Sequence, residues 1–220
     1  MVVSVSVTVV LSVLSFFGFS DEKPALEPAE IEWGKESAVV WKSTVGHPAQ
    51  IDLLKAAQIA PKKHRIEALE QLPFPINQSD IKADIRNGRT YLQFPLHKGE
   101  QIYGLGLNFK NVDQRGKIFR LHVDHYGGRD NGRTHAPVPF YVSSEGYGVL
   151  INAARYIDIY IGTGLRKDSK TPAQPRDRNT DKNWTASPYS DIVEVVVPGD
   201  GVELIVFAGK NIQEVVQRYN

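Results

Sequence analysis

Apolar and polar residues alternate along much of this chain, and the period changes from two to nearly four in two short stretches before residue 73 and again near the C-terminal end. Asp80 to Arg86 sets Ile81, Ala83 and Ile85 against charged neighbours, and Arg89 to Phe94 alternates again after Asn87-Gly88. Two alternating runs joined by Asn-Gly predict a hairpin with a type I′ turn, because both turn positions need positive φ. Phe119, Leu121 and Val123 alternate in a further strand. Others are expected at Ser37–Val45, Val138–Ser143, Gly148–Asn152, Tyr156–Ile161, Ile192–Val197 and Val202–Phe207, with a turn at Gly146-Tyr147-Gly148.

Helical spacing occurs in three places. Ile51, Leu54 and Gln58 share one face of a short stretch, and Ile66, Leu69 and Leu72 share one face of another that Pro73 ends. Ile212, Val215, Val216 and Tyr219 fall at i, i+3, i+4 and i+7 behind Asn211 as N-cap, so the terminal helix has an apolar face that needs a partner. Many short strands punctuated by Gly and Pro, without a βαβ alternation, predict a mainly β protein: a sandwich with a few short helices.

The first 20 residues differ from the rest. Val2 to Phe19 carries no charge, and Asp21-Glu22-Lys23-Pro24 follows abruptly. Gly18 and Ser20 place small residues at −3 and −1 of a cleavage site, so residues 1–20 are expected to be a signal peptide and the protein to be exported, periplasmic or extracellular. No Lys or Arg precedes the apolar run, and its length approaches a membrane span, so a retained anchor and a buried strand pair are the rival readings. Residues 21–35 are expected to be a linker, residues 36–209 the sandwich, and residues 210–220 a helix leading away from it.

Composition narrows the functions. With 26 basic and 25 acidic residues there is no field to attract nucleic acid, and no membrane partner is expected once the signal is removed. Cysteine is absent, which removes disulfides and thiolate metal sites. Gly-x-Ser-x-Gly does not occur, and Tyr103-Gly104-Leu105-Gly106 lacks the third glycine of a dinucleotide loop. No cofactor is implied. Asn77-Gln78-Ser79 and Asn183-Trp184-Thr185 match the glycosylation pattern. Ser169 to Asn183 is polar and Pro-rich, as in an exposed loop.

The densest polar segment is His122 to His135, which is Gly-rich and lies between two expected strands. Carboxylates, Arg and Asn supply the directional hydrogen bonds that sugar hydroxyls need, and Tyr126 offers a platform to a sugar face. The bland alternative is a solvated loop whose Asp–Arg pairs hold its shape. A zinc site from His122, His125 and His135 is disfavoured, because neighbouring strand positions point to opposite faces.

Four motifs in this order resemble the N-terminal domain of glycoside hydrolase family 31, the α-glucosidase and α-xylosidase family. They are Glu100-Gln101-Ile102-Tyr103-Gly104-Leu105-Gly106, Pro137-Val138-Pro139-Phe140-Tyr141-Val142-Ser143, Gly146-Tyr147-Gly148-Val149-Leu150-Ile151-Asn152, and Val206-Phe207-Ala208-Gly209 with Val215-Val216-Gln217-Arg218-Tyr219. The resemblance implies a galactose-mutarotase-like sandwich followed by a catalytic (β/α)8 barrel, which needs about 250 residues and would lie beyond Asn220. It implies retaining hydrolysis of an α-linked glycan by two barrel carboxylates, neither of them in this chain. It also implies that the loop before Pro-Phe-Tyr reaches the substrate mouth, which makes Asp124, His125, Asp130, Arg133 and His135 the candidate substrate-binding residues. Leu107 stands where relatives often have an acid, and residues 47–72 look more helical than the family's opening strands. A free-standing carbohydrate-binding module and an aldose epimerase, the latter needing a carboxylate base and a His acid, are the competing functions.

Overall fold

The structure is a computed structural model that describes residues 31–49, 69–107, 111–121, 136–154, 156–163 and 189–220. In chain order the first strands are β1 (Gly34–Ser37), β2 (Val40–Gly46), β3 (Lys82–Arg86) and β4 (Arg89–Pro95). Next come β5 (Ile102–Gly104), β6 (Lys117–Leu121), β7 (Phe140–Ser143) and β8 (Tyr147–Asn152). β9 (Ile157–Thr163), β10 (Tyr189–Pro198) and β11 (Gly201–Ala208) lead to the helix α1 (Ile212–Tyr219). A 3-10 turn at Gln78–Asp80 precedes β3.

These strands make two antiparallel sheets. One has six strands in the order β1-β2-β11-β8-β7-β5, and the other has five in the order β3-β4-β10-β9-β6. Register places Val193 beside Phe94 and Ile161, and Val195 beside Leu92 and Ile159. In the other sheet Leu204 lies beside Ile151 and Val206 beside Val149. All of these side chains are buried in one cluster between the sheets. Each fully buried Val, Leu or Ile contributes roughly 1.5–3 kcal/mol, which makes this interior the main source of stability.

The six-stranded sheet is apolar on its outer face too. Val40, Phe140, Val142, Leu150 and Phe207 form a second buried cluster there with Val215 of α1. This explains why β8 is buried at every position instead of alternating. α1 lies on that face with Tyr219 stacked on Phe140, ring centroids 4.0 Å apart and 8° from parallel. Asn211 caps it as expected, its side chain accepting from the Glu214 N–H. The helix therefore finds its partner within the same sandwich, and its apolar face does not require another domain to cover it.

The Asn87-Gly88 hairpin has the expected geometry, with φ of 50° and 67°. Several boundaries differ from expectation. β1 opens at Gly34, inside the segment expected to be a linker, and Trp33 already packs on Phe74 at 4.9 Å. The single strand expected over Ser37–Val45 is two strands, because the chain turns at Ala38-Val39, where the Ser37 hydroxyl accepts from the Val39 N–H. The turn between β7 and β8 is 144–146, and Tyr147 and Gly148 belong to β8. Leu69 to Leu72 are not helical; Leu72 instead donates its N–H to the Ala38 carbonyl. The expected signal peptide, the helical stretch 51–58 and the polar loop 169–183 lie outside the described residues.

Candidate functional site

Strand direction assigns every connection to one end of the sandwich or the other. Leu121, the last residue of β6, pairs with Ile157 at the start of β9. Phe140, the first of β7, pairs with Leu150 near the end of β8. Segment 122–135 therefore leaves the edge strand of the five-stranded sheet and returns to the six-stranded sheet at the same end. The five predicted binding residues Asp124, His125, Asp130, Arg133 and His135, together with His122, lie outside the described residues, but both anchors of their loop are described.

The return anchor is held by the Tyr-Gly-Leu-Gly motif. Gly104, Leu105 and Gly106 have φ of 101°, 66° and 92°. Leu105 donates its N–H to the Phe140 carbonyl at 2.9 Å, and Leu107 donates to Ala136 at 3.2 Å. A Cβ at Gly106 would stand 2.0 Å from the Ala136 carbonyl oxygen, and one at Gly104 would stand 2.8 Å from that of Phe140. Only glycine lets the two backbones come so close. Leu105 tolerates a left-handed backbone because its side chain is fully buried. The motif is also a short strand, β5, which pattern reading missed because it is only three residues long.

At the same end of the sandwich lies a cavity of about 400 Å³, lined among others by His47, Pro48, Asn152, Pro198, Gly199 and Asp200. The β10–β11 hairpin forms its floor, braced by the His47 N–H on the Asp200 carbonyl at 2.7 Å. Asn152 is fixed through its amide on Glu203 at 2.9 Å, and Glu203 pairs with Lys42 at 2.5 Å. Such a rim offers carboxylate, amide and imidazole groups to a hydroxylated ligand. Sequence reasoning did not find it, since its residues come from separate stretches without a motif.

The opposite end is organised by Glu100, whose side chain is buried. One carboxylate oxygen accepts from the Ser143 hydroxyl at 2.5 Å and the Tyr147 hydroxyl at 2.7 Å; the other accepts from the His97 N–H at 2.7 Å. Burial, reinforced by Glu100, pushes the Tyr147 hydroxyl well above its ordinary pKa, so it stays a neutral donor. His97 is exposed and pairs with Glu145 at 2.6 Å, a hydrogen bond that raises the imidazole pKa.

A model of the glycosyl hydrolase 31 N-terminal galactose mutarotase-like domain matches residues 7–159. The chain is 28% identical over 134 residues to an α-xylosidase of Emericella nidulans, covering 61% of this chain and 14% of that protein. It is 29% identical over 154 residues to the α-xylosidase XylQ of Lactiplantibacillus pentosus, covering 66% and 16%. It thus spans only a small part of the curated relatives it matches. A Flavobacterium johnsoniae dextranase complexed with glucose shares the fold at a TM-score of 0.53 and 14% identity, over 87% of this chain and 25% of that one.

Proposed function

The chain belongs to the glycosyl hydrolase 31 N-terminal galactose mutarotase-like domain family, and from that premise we propose that it serves as the accessory sandwich of an α-glycoside hydrolase. In this reading it supports a catalytic barrel and lends segment 122–135 to the binding of an α-linked glycan. Asp124 or Asp130 accepts from a sugar hydroxyl, Arg133 donates, and His125 and His135 complete the rim. The reacting carboxylates belong to the barrel.

The supporting observation is the shared end of the sandwich. Both anchors of segment 122–135 lie at the end of the sandwich that carries the cavity of His47, Asn152 and Asp200, and Gly104 to Leu107 lock the second anchor to the six-stranded sheet. A rigid sheet beneath a polar loop is the usual arrangement for recognition. The seating of α1 on its own sheet also suits a free-standing carbohydrate-binding module, since the helix needs no other domain.

In an enzyme carrying this domain ahead of its barrel, alanine at Asp124, Asp130, Arg133 or His135 should lower kcat/KM for an α-linked oligosaccharide about 10- to 100-fold, the worth of a hydrogen bond to a charged group. Melting temperature should not move. If all four variants kept kcat/KM, the assignment of these side chains to glycan binding would be rejected, whatever their stability. A chain that binds glycan with no barrel attached would favour the module.

A further inference from the structure

At the end of the sandwich remote from segment 122–135, three donor groups converge that the proposed function does not use. His97 and Glu100 flank the Lys98-Gly99 turn, and Glu145 sits in the turn between β7 and β8. His97 Nδ1 lies 2.6 Å from Glu145 Oε2 and 3.8 Å from Glu100 Oε2, and donor atoms of all three fall within 4.8 Å of one another.

We propose that His97, Glu100 and Glu145 bind a zinc-class divalent cation that clips the turn before β5 to the turn between β7 and β8. A tetrahedral zinc with bonds of about 2.0–2.1 Å keeps its ligand atoms roughly 3.3 Å apart. The two separations measured from His97 fall on either side of that value. Reaching it takes shifts under about 1 Å, and the side chains that must move, His97 and Glu145, are 62% and 42% exposed. Glu100 has no need to move. Ser143, Tyr147 and the His97 N–H already orient it, as outer-shell partners orient a ligating carboxylate.

The turn is braced from outside the cluster: the Arg115 guanidinium donates to the His97 and Glu100 carbonyls, at 2.7 Å each, which fixes the backbone that carries two of the three ligands. The Tyr141 hydroxyl, fully buried and within electrostatic reach of Glu100 and Tyr147, has no hydrogen-bond partner among the described residues. Buried polar groups are rarely left so, and an unpartnered hydroxyl close to the Glu100 carboxylate suits a site built for a ligand. One imidazole and two carboxylates match zinc and its transition-metal neighbours, whereas magnesium and calcium favour oxygen ligands at six or more positions. The exposed side of His97 leaves a fourth position to solvent.

The test is calorimetric titration of the EDTA-stripped 220-residue chain with Zn²⁺, read together with melting temperature. One equivalent of zinc should bind and be lost in His97→Ala, and Glu145→Gln should weaken it at least tenfold. Zinc at a hundredfold excess over Kd should raise Tm by about 5–10 °C in the parent and not in His97→Ala, while Mg²⁺ should not raise it. Both substituted side chains are exposed, and melting of the metal-free variants verifies that they fold. No binding by the parent, or undiminished stoichiometry and affinity in His97→Ala, would overturn the proposal.

Discussion

A methyl group added at Gly106 would stand 2.0 Å from the Ala136 carbonyl oxygen, whereas one added at Gly88 would meet nothing within 4 Å. Both residues have positive φ, so either substitution strains the backbone, but only the first also drives two chain segments apart. Gly88→Ala should cost about 1 kcal/mol and Gly106→Ala about 3 kcal/mol or more in urea unfolding; equal losses would contradict the close approach. Glu100→Ala should cost about 2–4 kcal/mol, because it strands the Ser143 and Tyr147 hydroxyls and the His97 N–H in the interior. A loss below about 0.5 kcal/mol, the level of an ordinary surface change, would show that Glu100 organises nothing. The two residues differ in how legible they were. Asn87-Gly88 announces its turn, because the φ requirement is local. Glu100 reads as a surface acid, and its burial follows from partners more than 40 positions away.

At the scale of elements, the terminal helix shows where pattern suffices and where it does not. Its period, its Asn211 cap and its buried position Val215 follow from spacing and cap chemistry. Its partner does not. The outer-face residues Phe140, Val142, Leu150 and Phe207 interleave with inner-face residues along β7, β8 and β11, so both faces merge into continuous apolar runs. A half-buried sheet would have shown alternation. Asn211→Ala should therefore cost about 1 kcal/mol. Val215→Ala, which opens a cavity between helix and sheet, should cost roughly 2 kcal/mol. Differential scanning calorimetry of the two variants checks both, and an unaffected Val215→Ala would mean that α1 is not docked on the sheet. The missed strand β1 and the turn at Ala38-Val39 have a related cause. Val39 is buried within a turn, a position that pattern reading assigns to a strand.

The whole molecule divides its work between its two ends. One gathers the anchors of segment 122–135, the Tyr-Gly-Leu-Gly turn and the cavity of His47, Asn152 and Asp200; the other gathers the Glu100 cluster, while α1 covers the outer face of the six-stranded sheet. The sandwich class was readable from many short alternating runs, whereas the common end shared by the cavity and the anchors of segment 122–135 emerged only from strand pairing. Family membership makes this platform a glycosyl hydrolase 31 N-terminal galactose mutarotase-like domain. Under the proposed function, the reacting carboxylates belong to a catalytic barrel and not to this platform. The most direct measurement is sugar release from isomaltotriose and from an α-xyloside by the purified chain alone, set beside the same chain joined to a family 31 barrel. An accessory sandwich predicts no release by the chain alone and turnover by the joined protein; hydrolysis by the chain alone would contradict it.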